Sequence, residues 1–141
     1  MRAFRSRGRE IDLRVAPAPS NPSRQALGLI DREALQRLQE WGGPKLVREM
    51  IRLFLDNSPE RLGQIQLGFE RQELNAVERA AHSLKSSSAN VGALELSRLA
   101  QQLEDLAEAG SDSEAREIHT SLLAAHERAC QELQEFLEGA S

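Results

Sequence analysis

The 141-residue sequence has one cysteine, one tryptophan, no tyrosine and four phenylalanines. A lone Cys130 excludes an internal disulfide, and a reducing cytoplasm is the expected compartment. Strands favour aromatic and β-branched residues. Both are scarce here, whereas Leu, Ala, Glu, Gln and Arg, which lose least on entering a helix, are abundant. No apolar run approaches a membrane span. The opening MRAFRSRGREIDLRV carries charge with no apolar stretch behind it, so no export signal is expected. The phosphate loop G-x-x-x-x-G-K-[ST], the dinucleotide fingerprint G-x-G-x-x-G and the kinase signatures are all absent, so ATP chemistry has no visible site.

The charge that is present is uneven. Residues 1–28 hold six arginines against Glu10 and Asp12, a net charge of +4, which leaves −8 for the remainder of a chain whose total is −4. An acidic body argues against nucleic-acid binding by the folded part. With APAPSNPS at residues 16–23, the basic segment reads as a solvated tail or linker, and the predicted organisation is a flexible stretch over 1–29 followed by one domain over 30–139.

Within that domain the apolar spacing is helical throughout. Asp31 is placed to cap a short first helix, with Ile30 and Leu35 as a hydrophobic staple, and WGGP ends it. A second helix starts at Pro44 and carries Val47, Met50, Ile51 and Phe54; the same face continues through DNSPER to Leu62, Ile65 and Phe69, which predicts one long helix kinked at Pro59. A third, from Leu74 to Asn90, points Val77, Ala81, Leu84 and Ser88 inward, with Val91 completing the seam, and Gly92 closes it. Leu96, Leu99, Leu103 and Leu106 mark the fourth helix, and SDSE at 111–114 opens the last, striped by Ala115, Ile118, Leu122, Ala129, Leu133 and Phe136. The predicted fold is all-α, an antiparallel up-and-down four-helix bundle with a short extra N-terminal helix.

His82 falls about 150° from the middle of the third helix's apolar stripe and is therefore outside. Glu78, Lys85, Ser86 and Ala89 are its surface neighbours. Ser83, Ser86, Ser87 and Ala89 strip bulk from its surroundings at a cost in helix propensity, which close approach by another protein would explain. A neutral imidazole nitrogen is a nucleophile, and once phosphorylated it needs a nearby cation, which Lys85 offers without trapping the group. Serines in mid-helix do not suit a Ser-His-Asp hydrolase. His119, His126 and Cys130 lie one or two turns apart on the last helix, but no fourth ligand is evident and no metal site is expected.

The segment AHSLKSSSANVGA, residues 81–93, resembles the motif A-H-x-L-K-G-x-x-x-x-[LIV]-G of histidine-containing phosphotransfer (HPt) domains in bacterial two-component phosphorelays. The resemblance extends over about residues 30–139 and implies a four-helix module with His82 as phosphoacceptor, Lys85 as the phosphate-stabilising lysine and Gly92 as the closing turn. It further implies Glu104 on the next helix as an acceptor that orients the ring, with Gln101 a weaker candidate for the same neighbourhood. Docking would use Ser83, Ser86 and Ala89, with Glu78 and Arg79 beside them. The partners implied are response-regulator receiver domains and a hybrid sensor histidine kinase. Such a module is a covalent carrier, monomeric, with no cofactor of its own and Mg²⁺ supplied by the receiver. Ser86 stands where the family usually has Gly. That departure keeps a second reading open, a transfer-incompetent helical adapter that binds a receiver or other partner; a domain phosphorylated directly by a kinase is a third.

Overall fold

In a computed structural model, which describes residues 30–139, the chain forms five helices and no strand among the described residues. They are α1 (Arg32–Gly42), α2 (Pro44–Glu70), α3 (Leu74–Asn90), α4 (Leu94–Glu108) and α5 (Asp112–Gly139). The predicted tail, 1–29, lies outside these residues.

Each boundary has a local cause. The Asp31 carboxylate accepts a hydrogen bond from the Ala34 N–H at 3.1 Å and caps α1, while Ile30 and Leu35 on either side of it are buried. Pro44 occupies the first turn of α2, where its missing N–H costs nothing. Pro59 lies inside α2, which runs through it as one helix, as the unbroken apolar face predicts. Gly92 has φ +76°, and a Cβ there would stand 3.0 Å from the Asp31 carbonyl oxygen. Only glycine meets both demands without strain. Its carbonyl accepts from the Asp31 N–H at 2.7 Å, which ties the entry of α1 to the end of α3.

The core is built almost entirely of Leu, Ile, Val and Ala from the predicted stripes. Leu35, Ile51, Ile65, Leu84, Leu96, Leu103, Leu122 and Leu133 are fully buried. Small residues let the helices approach: at Gly68 of α2 a Cβ would meet Val77 of α3 at 2.8 Å. Burying a leucine contributes roughly 1.5–3 kcal/mol, so these stripes, rather than any polar contact, hold the bundle.

The last helix departs from its predicted stripe. His119 is buried beside the Phe69 ring at 5.1 Å, and the Arg116 guanidinium lies over that same Phe69 ring at 4.9 Å. His126 bonds through Nε2 to the Ser58 hydroxyl at 2.7 Å and contacts Cys130 Sγ at 3.3 Å. These side chains are packing groups of the α2–α5 seam, and among the described residues no set of three His, Cys, Asp or Glu gathers to hold a metal.

Burial holds both imidazoles below their ordinary 6.5, and the charge of Arg116 adds to this at His119. In the unfolded chain they regain the ordinary value, so below about pH 6.5 the unfolded state binds more protons and stability falls on acidification until the lowered native values are reached. The urea midpoint is expected to drop between pH 7.5 and 5.5, and His119→Leu to flatten that drop. An identical slope in the variant would exclude His119 as its source.

Candidate functional site

Position 82 lies on the side of α3 that faces away from the core, and the His82 side chain is 60% exposed. The buried residues of α3, Val77, Ala80, Ala81, Leu84 and Ser88, hold the opposite face. Across the seam, α4 is fixed by Leu96, Leu99, Ala100 and Leu103. One step round from that stripe, Ser97, Gln101 and Glu104 recur at spacings of four and three and form a polar edge along α3.

These two edges interlock. His82 Nδ1 lies 2.9 Å from Glu104 Oε2, and Lys85 Nζ donates to Glu104 Oε1 at 3.0 Å and to Gln101 Oε1 at 2.8 Å. Gln101 in turn donates to Asp105 at 2.8 Å, and the Ser97 hydroxyl donates to the Lys85 carbonyl at 3.0 Å. Partial burial tends to push the Glu104 carboxyl upward. Hydrogen bonds from Lys85 and His82, and their charges, outweigh it and leave Glu104 below the usual carboxylate range.

An ionised carboxylate only accepts, so the proton in the His82–Glu104 bond sits on Nδ1. A neutral ring then keeps a lone pair on Nε2, which has no hydrogen-bond partner among the described residues. The arrangement is chemically a nucleophile with its orientation and tautomer fixed from behind.

The phosphoacceptor, its expected partners and the expected docking residues fall on or beside this face. Ser83, Ser86 and Ala89 are exposed along α3, with Arg79 exposed and Glu78 half-buried one turn before His82. Gly92 lies at the far end of the helix in its structural role. Two features escaped the sequence reading. Ser97 pins α4 to the α3 backbone, and Gln101 holds Lys85 rather than the imidazole. The available signal was that each directly follows a buried residue of α4, Ser97 after Leu96 and Gln101 after Ala100. A groove lined by Met50, Leu53, Phe54 and Asn57 of α2 and by Ser83 and Ser87 of α3 adjoins the same face, with Leu53 60% exposed.

A family model described as the Hpt domain matches residues 49–140. Histidine-containing phosphotransfer protein 5 of Arabidopsis thaliana is 32% identical over 71 residues, covering 47% of this chain and 45% of that protein. Histidine-containing phosphotransfer protein 2 of Oryza sativa subsp. japonica is 39% identical over 71 residues, covering 47% and 48%. The matches thus span less than half the length of these curated relatives. Among solved structures, a histidine-containing phosphotransfer protein from maize superposes with a TM-score of 0.73 at 26% identity, covering 83% of this chain and 88% of that one. Histidine-containing phosphotransfer protein B from Pseudomonas aeruginosa shares the fold, with a TM-score of 0.71 at 24% identity over 75% of this chain and 91% of that one.

Proposed function

The chain belongs to the Hpt domain family, and on that footing we propose that it relays a phosphoryl group between receiver-domain aspartates in a multistep two-component phosphorelay, with His82 as the phosphoacceptor. The observation that carries this reading is the exposed imidazole whose Nδ1 is bonded to the Glu104 carboxylate at 2.9 Å while Nε2 stays open.

The chemistry follows from that geometry. The Nε2 lone pair attacks the phosphorus of a receiver's aspartyl phosphate in line. A P–Nε2 bond forms as the P–O bond breaks, and the aspartate carboxylate leaves with the bonding electrons. No proton has to leave Nε2. The ring gains positive charge with its proton still on Nδ1, and Glu104 opposite that proton stabilises the charge. Lys85 fixes Glu104 and adds positive potential for the phosphoryl group. Transfer to a second receiver is the same step reversed.

The module acts as a cytoplasmic monomer that serves receivers and a hybrid sensor kinase. It takes no cofactor of its own and relies on the receiver for Mg²⁺. Docking brings the receiver onto Ser83, Ser86 and Ala89, with the α2 groove supplying apolar contact. Ser86→Trp is expected to weaken receiver binding by about tenfold or more, since a misfit side chain costs ~1–3 kcal/mol. On an exposed helical position it should leave the unfolding free energy within about 0.5 kcal/mol. Unchanged affinity would move the docking face elsewhere.

The deciding assay mixes the protein with an aspartyl-phosphorylated receiver and measures an acid-labile, alkali-stable label on the smaller chain. Binding without label would favour the adapter reading. Labelling only by a kinase with ATP, in the absence of any receiver, would make the domain a direct kinase substrate.

A further inference from the structure

Taking His82 as the phosphoacceptor, we propose that Arg79 is a second phosphoryl-binding residue, which contacts the oxygens of phosphorylated His82 directly, beside the positive potential that Lys85 supplies while it holds Glu104. The argument begins with where Lys85 points. Its ammonium bonds the same carboxylate that holds His82 Nδ1, so its charge sits at the Nδ1 side of the ring, toward α4. The phosphoryl group is carried at the other nitrogen.

Helical side chains lean toward the N-terminus, so a residue covers the turn before its own. The ring of His82 therefore overlies the turn that contains Glu78 and Arg79. The open cleft beside it bears this out: its lining is Asn75, Glu78, Arg79, His82, Ser83 and Glu104, and Lys85 does not contribute. Arg79 is the one cation among these lining residues. It is exposed and has no ion pair or side-chain hydrogen bond among the described residues. Its five donors suit phosphoryl oxygens, and three positions along a helix puts it next to His82.

The need is as clear as the means. A phosphoryl dianion on Nε2 would share the cleft with the carboxylates of Glu78 and Glu104. Without a cation on that side the adduct would face two like charges, and among the residues lining the cleft only Arg79 is a cation that can approach it without dismantling the Lys85–Glu104–His82 network.

The test uses the full chain and phosphoramidate, a small donor whose P–N bond breaks with release of ammonia as the P–Nε2 bond forms. The phosphoryl group is then titrated by its ³¹P chemical shift. A neighbouring guanidinium favours the dianion, so Arg79→Gln is expected to raise the phosphoryl pKa by about half a pH unit relative to wild type, and Arg79→Lys to restore most of the difference. The adduct in Arg79→Gln should also hydrolyse at a changed rate. A phosphoryl titration that is the same in wild type and Arg79→Gln would overturn the role of Arg79 and leave His82 as acceptor intact. Failure of the wild type to form any phosphohistidine would overturn both. Because Arg79 is exposed, loss of fold is not expected in either variant.

Discussion

His82→Gln is expected to abolish labelling by a phosphorylated receiver while the bundle stays folded. Glutamine retains a polar side chain of similar reach, but its amide nitrogen has no available lone pair, so no P–N bond can form. The loss should be complete rather than partial, because His119 is buried and His126 is engaged by Ser58 and Cys130. Stability should change by no more than about 1 kcal/mol, the usual worth of one hydrogen bond, since the ring is mostly solvent-exposed. Circular dichroism and a urea titration, run beside the labelling assay, separate lost chemistry from lost fold. Residual label on the variant equal to wild type would remove His82 from the reaction.

The second large effect concerns Glu104. Glu104→Gln keeps the size of the side chain and leaves a carbonyl able to accept from Nδ1, but it deletes the negative charge opposite the ring as that ring becomes positive. A charge-assisted hydrogen bond contributes ~1.5–3 kcal/mol, so the rate of phosphoryl transfer to His82 should fall by about tenfold to a hundredfold, with receiver affinity little changed. Glu104 acts through the imidazole, which makes it a positioning residue, and a distinguishing signature is available. In wild type the ¹⁵N shifts of the neutral ring should report a proton fixed on Nδ1, whereas Glu104→Ala should allow both tautomers. A normal transfer rate with a single Nδ1–H tautomer in Glu104→Ala would mean that the contact does not govern the chemistry.

Much of this was legible because the relevant signals are local or periodic. The Leu/Ala stripes at three- and four-residue spacing specify which face of each helix is buried, so they also specify that His82 is not. The Asp31 cap, Pro44 and Gly92 are punctuation with a backbone cause, and the structure repeats them. The bundle's polar contacts were harder to read. The resemblance pointed to Glu104 as the acceptor for the ring, but no periodicity along the chain says that α4 brings it to within 2.9 Å of His82, because the approach depends on how two leucine seams interdigitate. Lys85 was readable as a cation near the ring, but not that Gln101 and Glu104 would hold it. The burial of His119 was missed for a different reason: its spacing, four after Ala115 and three before Leu122, does put it on the buried face, but histidine is amphipathic, and only the packing of Phe69 from another helix shows that the ring is covered.

The most direct measurement is to phosphorylate protein carrying ¹⁵N-labelled histidine and record ³¹P–¹⁵N coupling. The account requires phosphorus bonded to Nε2 of His82, with Nδ1 still protonated against Glu104. Phosphorus coupled to Nδ1, to another histidine, or to no histidine at all would contradict it.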